Sequence, residues 1–220
     1  MVKVFSFLVL SFITILVHSK DVLAHNKTRN YDSTGSNVTI AGVERNCPPP
    51  AGVVDDAVWD TEWGPVTAAD RLLVRKVRLA SLWELPMAQE AIQRAQGARV
   101  RQISATIEAQ HVFLDSAVRS VGQQLGIDLP TEPNSQQKCF INDMESRSGH
   151  DYDVTYVKWL RFAHGQIFEL TGTVRSTTQN SVVRSFAETA NLFVLGHMQM
   201  LESTGFTANS SFPVAPPVMH

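Results

Sequence analysis

One seam of residues constrains this chain more than any other feature. Between Ala98 and Leu125, positions that are apolar except for one histidine follow at steps of 3, 4, 4, 3, 4, 3 and 4: Val100, Ile103, Ile107, His111, Leu114, Val118, Val121 and Leu125. Because an α-helix turns once every 3.6 residues, this spacing places all of them on one face. It predicts a long helix that packs against other helices, and Gly126 supplies its end.

Three more long helices are predicted from similar stripes, over residues 67–97, 151–175 and 181–204, with a short helix around 136–145. Short turns after the first and third long helices favour two antiparallel hairpins. The expected fold is therefore all-α, a ferritin-like up-down four-helix bundle over residues 67–205.

Residues 1–24 are predicted to be a signal peptide. Lys3 precedes an apolar stretch of 14 residues, 4–17, which is too short to span a bilayer. Cleavage is expected after Ala24, with cleavage after Ser19 or an uncleaved anchor as alternatives. We therefore expect a secreted, extracellular protein with no membrane span in the mature chain.

The segments that flank the bundle lack helical periodicity. Residues 25–66 are predicted to be an irregular extension, and residues 206–220 a disordered tail. Three N-glycosylation sequons lie in these segments, at Asn26, Asn37 and Asn209. Exposed acceptors of this kind predict a glycoprotein of the secretory route.

The chain has two cysteines, Cys47 and Cys139. In an oxidising compartment we expect them to form a disulfide between the extension and the connection that follows the second helix. The loop-entropy account gives such a bond roughly 4 kcal/mol of stabilisation, and measured values are often lower. Two free thiols are the alternative.

Charge and motifs exclude some classes of function. Removal of residues 1–24 changes the formal net charge from −2 to −3. No cluster of Lys and Arg predicts binding to nucleic acid or to anionic lipid. No nucleophile motif or glycine-rich phosphate loop is present, so the sequence gives no case for nucleophilic catalysis. It does not decide whether the protein is an enzyme of another kind.

Ligand-type side chains interrupt the apolar stripes. His111, His164 and His197 each lie on the stripe of their helix, and Glu84 is in line with the stripe of the first helix. Glu84 lies 13 residues before Gly97 and His111 14 residues after it, so both are about 20 Å from that turn. His164 is predicted near the same level, and His197 about one turn lower. Buried groups of this kind must be paired, hydrogen-bonded or metal-bound.

Glu108 completes the candidate metal-ligand set, because a Glu-x-x-His step with His111 is the motif that di-iron bundles use. The second such step is missing, since Val194 lies three residues before His197. Imidazoles and carboxylates would suit iron, zinc, manganese or copper. A metal-free hydrogen-bonded layer, for instance Glu84 with His111, is the alternative.

Asp153 lies on the same face as His164 but three turns away, too far to share a metal ion with it. We expect Asp153 to cap its own helix or to accept a hydrogen bond from another helix. Its role is therefore predicted to be structural.

A set of residues spread over the bundle matches the pattern of a known family: Ala69-Asp70, Glu84, His111, Leu125-Gly126-Ile127-Asp128-Leu129-Pro130, Gly149, Asp153-x-x-Tyr156, His164 and His197. In these residues the chain resembles the bacterial domain-of-unknown-function 4142 family, exported proteins that are grouped with ferritin-like bundles. It departs at Gln110, where the family usually has Asp, and at Ala190-Asn191, where it usually has Leu-Pro. The resemblance implies a fold and export, but no reaction.

Three hypotheses for function follow. The first is a secreted binding or structural module without catalysis. The second is a metal-binding or metal-dependent redox protein with its site in the bundle core. The third is a secreted effector that binds a host protein through its outer surface, and the sequence names no partner.

Overall fold

Five α-helices make up most of the chain in the computed structural model, which describes residues 47–50 and 56–215. They are α1 (Ala68–Arg94), α2 (Ala98–Leu125), α3 (Ser135–Glu145), α4 (Gly149–Thr177) and α5 (Ser181–Glu202). Within that part of the chain no strand forms, and β-type pairing is limited to a bridge between Trp59 and Val66. The all-α prediction is therefore confirmed, and each observed helix begins and ends within a few residues of a predicted one.

The four long helices pack as two hairpins. α1 lies along α2 and α4 along α5, and the hairpins meet through α1 with α4 and through α2 with α5. Residues 95–97 and 178–180 form the turns within the hairpins, and turns this short place helices antiparallel. The helical bundle is the predicted one, whereas its ferritin-like topology stays a prediction.

Two apolar clusters fill the bundle, one on each side of its middle. Every seam position of α2 is buried. Along this helix the first cluster ends at Ile107 and the second begins at Leu114. His111 therefore lies between the clusters, and the same division occurs on the other long helices.

A disulfide joins Cys47 to Cys139 on α3, with Cα atoms 5.6 Å apart. Gln136 donates a hydrogen bond from its side-chain amide to the carbonyl oxygen of Cys47 at 3.0 Å. Farther along the extension, the indole of Trp59 donates to the carbonyl oxygen of Leu125 at 3.1 Å. The extension is therefore tied both to α3 and to the end of α2.

Residues 206–215 differ from the disordered tail that we expected. They include a 3₁₀ turn, Asn209–Ser211, in which the Ser211 side chain is buried and its hydroxyl accepts a backbone hydrogen bond at 3.1 Å. The guanidinium of Arg161 lies 4.5 Å from the ring centroid of Phe212. The prediction is corrected for these residues, because an aromatic ring and a buried serine anchor a segment whose prolines had suggested no structure.

Several predictions concern residues outside the described ones. The signal peptide over residues 1–24 and the acceptors Asn26 and Asn37 are among them. Among the helices that the structure describes, none has the length and apolarity needed to cross a bilayer. The predicted domain boundaries stay predictions.

Asp153, near the start of α4, binds the turn between α1 and α2. Its carboxylate accepts hydrogen bonds from the backbone N–H groups of Gln96 at 3.0 Å and of Gly97 at 2.7 Å. A Cβ atom on Gly97 would lie 3.0 Å from this carboxylate, so a residue without a side chain allows the close approach. Asp153 therefore accepts hydrogen bonds from another part of the bundle, as one of its two expected roles required, and connects the two hairpins.

We expect Asp153→Ala to lower the free energy of unfolding by about 3 kcal/mol, because two backbone N–H groups would lose a charged acceptor in a buried place. Urea denaturation measures this change. Asp151→Ala is the matched control, since Asp151 is exposed and lies two residues earlier in the same helix. Its effect should stay below about 1 kcal/mol, and equal effects of the two substitutions would contradict the proposed tie.

Candidate metal centre

Each long helix contributes one side chain to a buried layer between the two apolar clusters. α1 supplies Glu84, α2 His111, α4 His164 and α5 His197. Their exposed fractions are 2, 3, 1 and 0 %, respectively. These four side chains are called the polar layer below. The sequence predicted that their heights along the bundle would nearly coincide, and the structure brings all four together.

The donor atoms of the polar layer converge. Glu84 Oε2 lies 3.1 Å from His111 Nε2 and 3.4 Å from His164 Nε2. His164 Nε2 in turn lies 2.8 Å from His197 Nδ1, and one nitrogen from each ring lies within 4.8 Å of the others. Glu84 Oε2 and His111 Nε2 meet in poor hydrogen-bond geometry, and neither has another hydrogen-bond partner among the described residues. Both therefore keep the capacity to bind a cation.

Burial governs the charge of the polar layer. It lowers the pKa of His164 and the pKa of His197, so both imidazoles are neutral at neutral pH. Burial also acts to raise the pKa of Glu84, but interactions with His164 and His111 outweigh it, and the pKa of this carboxyl lies below its ordinary value. A carboxylate in the same buried layer as the neutral imidazoles of His164 and His197 is a combination that favours a bound cation.

Partners outside the layer orient two of the rings. His164 Nδ1 lies 2.7 Å from the carbonyl oxygen of Leu160, and because a carbonyl only accepts, Nδ1 donates and Nε2 presents its lone pair to the layer. His197 Nε2 lies 2.7 Å from Oε1 of Gln110. With this amide oxygen facing the ring, Nε2 donates and Nδ1 presents a lone pair. Two lone pairs then face each other across 2.8 Å, which is unfavourable unless they share a cation.

Glu108 stands outside this arrangement. Its carboxylate accepts a hydrogen bond from the side-chain amide of Gln89 on α1 at 3.1 Å. Glu108 follows the seam residue Ile107, so it lies about 100° farther round the helix. The structure therefore brings together four of the five predicted ligands and leaves Glu108 half-exposed.

A small cavity, lined mostly by buried residues, adjoins the polar layer. Its volume is about 20 Å³, and its walls are the four polar side chains together with apolar residues of the long helices: Val77, Ala80, Leu114, Ile167, Ala190 and Val194. A cavity of roughly 10–15 Å³ holds one water molecule. This inner cavity therefore has room for a small molecule beside the donor atoms.

Gln110 is the functional residue that sequence reasoning missed. In the sequence, Gln110 is a departure from the family pattern and is not among the predicted site residues. In the structure its side-chain oxygen is the outer partner of His197. Its position directly before His111 was the available signal, because a glutamine can accept from an imidazole as an aspartate does.

Comparison with known proteins identifies the family. The sequence pattern of the family described as Domain of unknown function (DUF4142) matches residues 61–204, which include all four long helices and the polar layer. The chain belongs to this family. No curated protein and no solved structure matches the chain. Because the family description gives no activity, function must be argued from the polar layer.

The neutral histidines predict a pH dependence of stability for the metal-free protein. In the unfolded chain, histidines take up protons as the pH falls through about 6.5, whereas the folded His164 and His197 resist protonation because burial lowers their pKa. Stability should therefore fall as the pH decreases from 7.5 to 5. Thermal unfolding in chelator measures this dependence.

His197→Gln should reduce the slope of that dependence by about 1 kcal/mol per pH unit, the contribution of one proton. His150→Gln is the control, because His150 is exposed on α4, and it should leave the slope unchanged. A protein whose stability increased as the pH fell from 7.5 to 5 would contradict the neutral assignment.

Proposed function

We propose that this protein is a secreted metal-binding protein that holds one divalent transition-metal ion in the polar layer. One observation carries the proposal: the outer nitrogens of His164 and His197 each lie 2.7 Å from an oxygen, of Leu160 and of Gln110 respectively. Histidines that ligate metals almost always donate their second nitrogen in this way, because the hydrogen bond fixes the tautomer and the ring orientation. The inner nitrogens, His164 Nε2 and His197 Nδ1, then face each other at 2.8 Å, and His164 Nε2 lies 3.4 Å from the carboxylate of Glu84.

The spacing of the donor atoms supports a site of this kind. In a tetrahedral zinc site with Zn–N distances of 2.0–2.1 Å, ligand atoms lie about 3.3 Å apart. Glu84 Oε2 is 3.1 Å and 3.4 Å from two imidazole nitrogens. The pair formed by His164 Nε2 and His197 Nδ1, at 2.8 Å, would have to open by about half an ångström, which a small rotation of either ring provides.

The donor set favours a single ion. Two-metal sites in helical bundles draw carboxylates from all four helices and use two Glu-x-x-His steps. Among the described residues, the polar layer has one carboxylate, Glu84, and three imidazoles. Three nitrogens and one oxygen suit zinc, copper or iron better than manganese, which prefers oxygen ligands.

A metal-free layer is the second candidate, and the 2.8 Å contact between His164 and His197 favours it. If the Gln110 amide turned its nitrogen toward the ring, His197 Nε2 would accept and Nδ1 would donate to His164 Nε2. That arrangement satisfies the two rings but leaves Oε2 of Glu84 buried without a well-placed donor. An uncompensated buried charge costs several kcal/mol. A bound metal ion therefore explains the buried Glu84 charge as well as the orientation of the rings, whereas the metal-free arrangement explains only the rings.

Export is the second part of the proposal. The apolar stretch after Lys3 is typical of a signal peptide. A disulfide such as Cys47–Cys139 forms and persists in an oxidising compartment. Asn209 is exposed in its 3₁₀ turn and is accessible to glycosylation. Recovery of the chain from culture medium of a eukaryotic host, with mobility that changes on glycosidase treatment, would test this part.

Metal analysis of protein purified without an affinity tag tests the binding site. We expect about one divalent ion per chain, lost in both His111→Ala and His164→Ala. Gln110→Ala keeps all four ligands and should weaken metal affinity by about 10- to 100-fold, as removal of an outer partner does. Chelator should lower the melting temperature of the wild-type protein, because bound metal stabilises the folded state.

Glu108→Gln and His150→Ala are the controls, since both side chains lie outside the polar layer. Each should bind metal as the wild type does. A folded protein that contains no metal, takes up none when it is supplied and melts at the same temperature in chelator would overturn the proposal and leave the metal-free layer.

A further inference from the structure

A second cavity approaches the polar layer from the surface. This outer pocket lies between α1, α3 and α4 and has a volume of about 170 Å³. Trp83 and Glu84 of α1, which are 0 and 2 % exposed, line its buried end. Three residues, Ala80, Glu84 and Ile167, line both the outer pocket and the inner cavity. The outer pocket and the inner cavity therefore share one wall, and Glu84 of the candidate metal centre is part of that wall.

The disulfide shapes the outer pocket. Pro49, two residues after Cys47, lines the pocket together with Gln136 and Phe140 of α3. Gln136 also donates to the carbonyl oxygen of Cys47, and the Cys47–Cys139 bond fixes this stretch against α3. The pocket wall is therefore held by a covalent bond rather than by a loose segment.

We propose that the outer pocket is the entrance through which a neutral ligand of one or two heavy atoms reaches the metal ion, with Ala80 and Ile167 as the gate. This inference rests on the proposed function, since it names the ligand class and the access route of the same site. The ligand class includes water and dioxygen. In the inner cavity such a ligand lies beside all four donor side chains.

The inner cavity sets the size and polarity of the ligand. Its volume of about 20 Å³ exceeds the roughly 10–15 Å³ that one water needs and is too small for an organic substrate. On the side away from the polar layer its walls include Val77, Leu114 and Val194. Apolar walls disfavour a charged ligand, because they offer no group to replace its hydration.

Ala80 and Ile167 are suited to act as a gate because neither forms part of the metal-ligand set. Both are half-buried, and the methyl group of Ala80 leaves space that a larger residue would fill. Ile167 lies three residues after His164 on α4. A change of the Ile167 rotamer therefore moves side-chain atoms at the cavity wall and leaves the imidazole of His164 in place. Rotamer changes are fast compared with movements of whole helices.

Cobalt-loaded protein and cyanide provide the experiment. Co²⁺ binds sites of nitrogen and oxygen ligands, and its visible absorption changes when a further ligand binds. At pH 7 cyanide is mostly hydrogen cyanide, a neutral molecule of two heavy atoms, which enters in this form and releases its proton to the buffer when its carbon binds the cobalt. Stopped-flow absorption gives the rate of cyanide binding, and metal analysis of the same samples confirms that cobalt stays bound. Imidazole serves as the ligand that is too large for the inner cavity.

Two variants change the gate in opposite directions. Ala80→Leu should slow cyanide binding at least tenfold, and Ile167→Ala should raise the rate severalfold, with cobalt content unchanged in both. Ala117→Leu is the matched control, because Ala117 is half-buried on α2 and lines neither cavity. Its rate should equal that of the wild type, and imidazole should leave the wild-type spectrum unchanged.

The outcomes separate this inference from the proposed function. If the protein takes up no cobalt, both are overturned. If cobalt binds but cyanide does not perturb its spectrum, or if imidazole binds as readily, the metal site stands and the ligand class is wrong. If cyanide binds at the same rate in wild type, Ala80→Leu and Ile167→Ala, the route through the outer pocket is wrong.

Discussion

The charge of Glu84 is the constraint on which the rest of this structure depends. A carboxylate that is 2 % exposed in the middle of an apolar bundle is unfavourable unless positive charge or good hydrogen-bond donors surround it. The imidazoles of His111 and His164 approach it at 3.1 and 3.4 Å, and His197 contacts His164. Leu160 and Gln110 hold the rings of His164 and His197 in orientation. Every long helix is therefore placed so that one of its buried polar side chains reaches the same level. A divalent ion among these groups would balance the carboxylate and use the lone pairs that the rings direct inward.

The remainder of the bundle keeps the four side chains of the polar layer at the same height. Apolar clusters lie on both sides of the polar layer, so sliding one helix past another by a turn would bury a histidine among aliphatic side chains. Asp153 fixes the relative position of the two hairpins by binding the turn between α1 and α2. At the surface, the disulfide holds the extension against α3 and shapes the pocket that leads toward Glu84. The parts that are distant from the site thus determine its geometry and its accessibility.

Much of this architecture could be predicted, because it follows from local periodicity. The seam of α2 and the stop at Gly126 gave the bounds of that helix, and counting from Gly97 placed Glu84 and His111 at one level. Glu108 was assigned to the site because a sequence motif does not say which neighbouring helix a side chain faces; Gln89 binds it instead. The outer pocket and the packed residues 206–215 depend on contacts between distant segments. Spacing along the chain carries no information about such contacts.

X-ray absorption spectroscopy at the metal edge tests the central claim most directly, on protein that is expressed from the full sequence, with residues 1–24 included, and purified without a tag. The account predicts a first shell of three imidazole nitrogens and one or two oxygens at about 2.0–2.2 Å, with the outer-shell scattering of histidine rings. A folded protein with no metal absorption edge would contradict it. So would a first shell made only of oxygen atoms, which would place the metal on the protein surface rather than between Glu84 and the three histidines.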